Sequence, residues 1–480
     1  AGAGKMFKGE VYIGACATLT LVSTDTLNVS TDTEFNIRIH ALGSTTYYVK
    51  LYNIGGSVSF NKTMATALYI TGQFGFCPGQ QVTLSAYPQN INGTTTYTWL
   101  PSGTGNHAIN YTITPSSTVT PTTYTLIYSD AGGTITRTVN VFPLGPNQCK
   151  NCEQVQNGHF EWFNSFPFLG TNIGVSGFWN NANASSSDYF NVNFYDPLYK
   201  VPANWRTTNT PAYNGNGYTG FATYDATYPN GREYIQSQLK CPLVLGQIYN
   251  VSFFTALANL SSKATNNIGA YLSATAINTF SPLYINSTPQ INSTSVINYS
   301  SSNIWTQITG TVSGANQQYI TIGNFYDDVN TLTVNSTSPY SSPTFSEYFV
   351  DDVSVTPATP TLSASSNTIS CNCSSTITLT ATGSSSVYTT WTNGTTTYSG
   401  SVVSIPCPTI TTTYTCNVNL PCSTCAPITQ TISVTVVTPP SLTVSASPSV
   451  ICSGASSTLT ASGASTYSWN PIGTSGSVTV

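Results

Sequence analysis

Short runs in which apolar and polar residues alternate recur along almost the whole chain, as in Thr136-Arg-Thr-Val-Asn-Val-Phe142 and Ile432-Ser-Val-Thr-Val-Val437. A period of two sends successive side chains to opposite faces of a strand, and the Gly, Pro, Asn and Ser clusters between runs supply turns. No segment has the 3.6-residue period and the length of a helix. The pattern predicts an all-β protein.

The runs also repeat at a larger scale. Residues 76–143 carry Phe76-Cys77-Pro-Gly-Gln-Gln-Val-Thr-Leu-Ser-Ala, then Tyr97-Thr-Trp99, then Pro121-Thr-Thr-Tyr124-Thr. Residues 360–437 replay this order with Cys371-Asn-Cys373, Trp391 and Thr411-Thr-Thr-Tyr414-Thr-Cys416, and a third copy opens with Ile451-Cys452-Ser-Gly and Tyr467-Ser-Trp469. In each copy a Trp follows the Cys by 17 to 22 residues, and in the first two a Tyr follows the Trp by 25 or 23. An immunoglobulin-like sandwich uses such a Trp to fill the space between its sheets and such a Tyr to tie a corner. The third copy reaches Val480 where its Thr-Thr-Tyr strand is due, which suggests either a piece of a longer protein or a last domain completed by another chain. Cys452 points the same way.

Between the second and first copies lies a longer region of different pattern. It opens with Asn157-Gly-His-Phe-Glu161 and closes with Tyr348-Phe-Val-Asp351-Asp352-Val-Ser-Val355. Its strands and long polar loops fit a larger jelly-roll sandwich. The expected organisation is a small β-sandwich at 1–70, with strands near 10–13, 17–22, 34–40 and 46–52. An Ig-like repeat follows at 71–145, then the jelly roll at 149–357, a second repeat at 358–438 and an incomplete third at 439–480.

Composition narrows the function. Only 6% of the 480 residues are charged, with 12 Lys+Arg against 16 Asp+Glu and a net charge of -4; an ordinary domain carries roughly 25%. No basic field exists to hold a phosphate backbone, so nucleic-acid binding is excluded. Disorder is excluded too, because 30 Tyr, 20 Phe and 7 Trp are far too many aromatics for an unfolded chain. No apolar run reaches the length of a transmembrane helix. Twelve Cys beside three His favour disulfides over zinc, and an oxidising space outside the cytoplasm. Cys149-x-x-Cys152 and Cys422-x-x-Cys425 lack the partner spacing of a finger. His40, His107 and His159 stand apart from any nucleophile signature, and no metalloprotease motif, nucleophile elbow or phosphate loop is present. No enzymatic activity is expected.

The Cys-x-Gly, Thr-Leu-Ser-Ala, Tyr-x-Trp and Thr-Thr-Tyr-Thr blocks resemble the Ig-like and PKD-like repeats of very large surface proteins of Bacteroidota, among them gliding-motility adhesins and other type IX secretion cargo. Cys373-Ser-Ser departs from that pattern. The 149–357 region is similar to the jelly-roll modules of the same proteins and, more distantly, to carbohydrate-binding modules. The resemblance implies an extracellular, cell-surface adhesin or filament segment attached to the outer membrane through a larger parent chain, with sandwiches as spacers and the jelly roll as contact module. Carbohydrate binding within a glycan-degrading system, and a self-assembling fibre subunit completed by a donated strand, are the two alternatives. Surface glycans, other cell-surface proteins or further copies are the expected partners.

The resemblance also implies particular residues. In the related modules a structural calcium is held by the opening Glu and a closing Asp, which here are Glu161 and Asp352, with Asp351 as substitute. Hard carboxylate oxygens suit that ion. Asp327-Asp328 reads as a turn. A sugar platform needs exposed rings beside amides and acids; of Trp162, Trp179, Trp205, Trp305, Tyr213 and Tyr218, the residues selected are Trp179, Trp205 and Tyr218. By analogy with the repeats, Cys371 or Cys373 pairs with Cys422 or Cys425 across the sandwich and Cys407 reaches Cys416; the remaining connectivity is open, with Cys149 or Cys152 a plausible partner for Cys241 and Cys77 for Cys16. Asp25-Thr26-Leu27 resembles a short bacterial O-glycosylation motif.

Overall fold

The computed structural model describes residues 6–13, 20–28, 47–52, 67–76, 81–89, 91, 93–101, 109–114, 122–143, 152–163, 173–194, 196–281, 283–301, 304–340, 345–371, 373–422 and 425–480. Nearly every regular element is a strand, and the helical ones among the described residues are two single turns, Ile173–Val175 and Pro197–Tyr199. The protein is all-β. Its contacts divide it into two compact units, one of residues 1–243, 250–312 and 316–356 and the other of residues 244–249, 313–315 and 357–480.

The first unit begins with a three-stranded antiparallel sheet in which Met6–Ile13 lies between Thr20–Asn28 and Tyr47–Tyr52. The strand expected at 34–40, and Cys16, Cys77 and Cys149, lie outside the described residues. Two four-stranded sheets follow. One joins Gly75–Phe76, Gly133–Pro143, Thr122–Asp130 and Thr96–Leu100; the other joins Trp162–Phe163, Ala67–Gln73, Val82–Gln89 and Asn110–Ile113. Trp99 is fully buried, and Tyr111 stacks on it with ring centroids 5.7 Å apart. The motif Trp therefore fills the core, as its spacing predicted.

The jelly roll contains ten principal strands: β1 (Trp179–Asn181), β2 (Asp188–Asn191), β3 (Gly217–Asp225), β4 (Tyr234–Gln238), β5 (Ile248–Leu257), β6 (Ile268–Ser273), β7 (Ile291–Ser293), β8 (Thr306–Ser313), β9 (Tyr319–Asn324) and β10 (Phe345–Pro357). They form two five-stranded sheets, in the orders β1-β4-β9-β6-β7 and β2-β3-β10-β5-β8. The first and last segments of the region are tied together, since the Val353 N–H donates to the Gly158 carbonyl at 2.8 Å and the Gln154 N–H to that of Val355 at 2.9 Å. Gly158 is obligatory there: a Cβ would stand 2.0 Å from the Val353 oxygen.

In the second unit, Thr361–Ala364, Ile377–Thr382 and Val402–Ile405 make one sheet of the second repeat, and Thr368–Ser370, Ile428–Val437, Thr412–Val418, Thr389–Thr392 and Thr397–Ser399 the other. Trp391 is fully buried among Ile377, Leu379, Ile405, Tyr414 and Val434. Its indole N–H donates to the Gly400 carbonyl at 3.1 Å.

The disulfides correct the expected pairing. Cys373 joins Cys407, with Cα atoms 6.0 Å apart. The reason is register: Ile377 faces Ile405 in neighbouring strands, so the two thiols lie just past the same end of one sheet. Cys416 takes no part. It carries a buried thiol on the opposite sheet, facing Trp391 across the ladder. Cys152, Cys241, Cys422 and Cys425 are all disulfide-bonded. The third copy is a three-stranded sheet of Thr443–Ser447, Thr458–Ser462 and Ser477–Thr479, in which the Trp469 N–H donates to Ser475 O at 2.8 Å. From Val353 to Val480 there is no Asp, Glu, Lys, Arg or His.

Candidate binding sites of the jelly roll

Register places the side chains of the first sheet. Asn180 faces Gln236, Gln236 faces Thr321 and Thr321 faces Tyr271, while in the next row Gln238 faces Tyr319 and Tyr319 faces Ser273. Directly opposed residues share a face, so seven polar or aromatic side chains cover one side of four strands. The alternate residues Trp179, Ile235, Ile320, Ile322 and Leu272 are buried.

This polar side holds an open groove of about 380 Å³ lined by Gln156, Phe178, Asn180, Gln236, Gln238, Ala276 and Tyr319. Phe178 is 41% exposed, with its edge packed against Trp162 at 4.6 Å. Gln236 is already committed, because its amide donates to Ile277 O at 3.1 Å and accepts from Ile277 N at 2.8 Å. Gln238 and Asn180 are exposed and remain available. The groove offers amide donors and acceptors beside two rings and no charged side chain.

The acids at the ends of the region come together beside β3 and β10. Phe160, at φ 52°, turns the chain so that Glu161 is fully buried, where its Oε1 accepts the backbone N–H groups of Asn216 at 2.7 Å and Gly217 at 3.1 Å. Its Oε2 is buried without a hydrogen-bond partner. Asp351 is equally buried, accepting from Asn214 N at 3.1 Å and Asp352 N at 2.7 Å. Burial pushes the Glu161 carboxyl up to about 8, against the pull of its two N–H donors and helped by the charge of Asp352. Burial, then Asp352 and Glu161, likewise raise Asp351 well above the carboxylate range.

The pair expected from sequence is Glu161 with Asp352, with Asp351 as substitute; in the structure Asp351 is the interior group, while Asp352, at φ 51°, lines a surface pocket. Among the described residues no three His, Cys, Asp or Glu side chains are poised around a common point. Two carboxylates, one with an orphaned buried oxygen, still fit a hard cation whose remaining ligands are backbone oxygens and water.

The three ring residues selected from sequence have other work. Trp179 is 1% exposed, packs on Phe160 at 5.0 Å and donates its indole N–H to Asn157 O at 3.0 Å. Tyr218 is fully buried, its hydroxyl donating to Thr210 O at 3.1 Å. Both fail as platforms because they point into packed interior, Trp179 beside Phe160 and Tyr218 under the segment that joins β2 to β3. Trp205 is exposed, with one face of its ring covered by the Arg206 guanidinium at 3.7 Å, and it lines neither of the two pockets described for the jelly roll. That guanidinium lies 3.5 Å from the buried Glu347 and 3.8 Å from Asp188. Asp328 pairs with the buried Arg232 at 2.8 Å, and Asp327 accepts from Asn330 N at 2.9 Å, as a turn requires.

No protein-family model matches the chain. No curated protein matches it either. Among solved structures it is similar to the K1 cleaved adhesin domain of Lys-gingipain from Porphyromonas gingivalis W83, at 15% identity over 38% of this chain and 92% of that one, with a TM-score of 0.23. The adhesin domain of Epf from Streptococcus pyogenes is similar at 10% identity over 46% and 77%, with a TM-score of 0.26. Carbohydrate-binding modules of a β-sandwich superfamily with promiscuous specificity are similar at 11% identity over 62% and 99%, with a TM-score of 0.19. At these identities the likeness concerns the fold alone.

Proposed function

We propose that the chain is a non-catalytic extracellular adhesive array in which the sandwiches act as spacers and the jelly roll contacts neutral surface glycans through its groove. The observation that carries this reading is the cluster of exposed Asn180, Gln238 and Phe178 with the half-buried Tyr319 along one groove, with no charge among them. A sugar presents hydroxyls, each a donor and an acceptor, on a ring with apolar C–H faces; amides answer the first and aromatic rings the second. The disulfides support an oxidising space outside the cytoplasm as the setting of this reading.

The test is calorimetric titration of the whole chain with cellohexaose, xylohexaose and mannohexaose. Each lost amide bond is worth about 1 kcal/mol, so Asn180→Ala with Gln238→Ala weakens binding roughly thirtyfold. Wild-type binding to none of the three at millimolar concentration, or binding that the double substitution leaves intact, rejects the groove.

We further propose that Glu161 and Asp351 hold a structural calcium ion, with Asp352 beside them. The ion would supply only positive charge. The chain's own groups do the positioning: the Asn214 to Gly217 turn is drawn onto the two carboxylates by three backbone N–H groups.

A further inference from the structure

The second sheet carries a pocket of its own. It measures about 280 Å³ and opens on the outer side of β5, β8 and β10, among Tyr213, Asn214, Phe254, Gln307, Asp352 and His159. Its wall is a ring pair: Tyr213 stacks on Phe254 with centroids 3.6 Å apart and planes 14° apart. Trp305 meets Tyr213 at 6.3 Å and 70°, and donates its own N–H to Pro211 O at 3.1 Å, which braces the loop. Tyr213 nonetheless stays 42% exposed. The lining also holds two amides, Asn214 and Gln307, and two carboxylates, Asp352 and Glu153, the latter already accepting from Val155 N, Ser354 Oγ and Val355 N, and His159 contributes a buried Nδ1 that has no hydrogen-bond partner. A buried polar atom left unpaired at the wall of a cavity is costly unless something in the cavity answers it.

We propose that this pocket is a second saccharide site, on the opposite sheet from the groove, which takes a single neutral sugar unit against the exposed part of the Tyr213 ring. Mixed donors and acceptors suit vicinal hydroxyls, and the volume, near the lower end for small-ligand pockets, suits one ring and not a chain. Two sites on opposite sheets let one jelly roll bridge two glycan strands, so that attachment gains from avidity. The pocket shares no lining residue with the groove, and its sugar binding stands or falls separately.

The whole chain is tested by saturation-transfer NMR with the methyl β-glycosides of glucose, galactose and mannose. In the Asn180→Ala, Gln238→Ala background, saturation transfer to at least one glycoside persists. Adding Tyr213→Ala weakens it by about tenfold or more, because stacking is lost, while Tyr213→Phe keeps the ring and retains binding. Transfer that vanishes with the groove substitutions alone, or that survives Tyr213→Ala, overturns the second site. Wild-type protein giving no transfer from any of the glycosides also overturns it, whatever the groove does with hexasaccharides. Circular dichroism of Tyr213→Phe and Tyr213→Ala separates lost binding from lost fold.

Discussion

Removing the charge of Glu161 gives the sharpest test of the acid pair. In the metal-free protein burial pushes the Glu161 carboxyl up to about 8 from its ordinary value of 4.5. The folded state therefore holds this proton more tightly than the unfolded chain. Stability from that source is complete below about pH 4.5 and drains away as pH rises through about 8, by an amount on the order of a few kcal/mol. Calcium requires the ionised carboxylate, so its binding strengthens over the same interval. At a hundredfold excess over its dissociation constant the ion adds about 2.7 kcal/mol, which for a domain of this size raises Tm by roughly 5–10 °C. Glu161→Gln cannot ionise, and its amide can keep the oxygen that accepts from Asn216 and Gly217. The variant should melt nearly as the metal-free wild type does at low pH, show a flatter pH profile and ignore calcium. Scanning calorimetry of the whole chain, in chelator and in millimolar calcium, between about pH 5 and 9, measures all three. Identical wild-type melts with and without calcium, or a stability that rises with pH in chelator, would refute the reasoning.

Three further outcomes are expected. Trp391→Ala should cost about 3–5 kcal/mol in urea unfolding, since it empties a filled core and strands the Gly400 carbonyl; Trp469→Ala, at a partly exposed site, should cost distinctly less, and equal losses would contradict the packing difference. Gly217→Ala should abolish the calcium response and destabilise the jelly roll by roughly 2 kcal/mol or more, because the new Cβ would sit 2.4 Å from the Phe160 carbonyl and 2.7 Å from the Asn191 amide; a calorimetric trace unchanged from wild type would contradict this. A maleimide should modify the exposed Cys452 in the folded protein and reach Cys416, whose thiol burial pushes up to about 11, only in denaturant; mass mapping of labelled peptides decides.

Much of the scaffold was legible because it depends on local periodicity. The Cys, Trp and Tyr order located Trp99, Trp391, Tyr124 and Tyr414 in cores, and each is at most 5% exposed. Sites were harder, for a physical reason. Whether Asn180 or Trp179 faces outward is a matter of strand parity, and parity is fixed by the partner strand: Trp179 lies opposite Ser237 and Asn180 opposite Gln236. One sequence signal was present, since Gln236 and Gln238 alternate with Ile235 and Ser237 and so mark a polar sheet face. Asp351 and Asp352 were separable only once the left-handed backbone of Asp352 was known. Cys416 was misassigned because motif order shows neighbours along the chain but not which sheet each joins.

The stretch from Val353 to Val480, without an acid or a base, has a consequence for endurance. Nothing in it changes protonation between strongly acidic conditions and the onset of thiol and phenol ionisation, and no ion pair in it can be screened. Its folding stability should therefore hardly change between a neutral and an acidified film, and brine should act on it only by strengthening the burial of apolar surface.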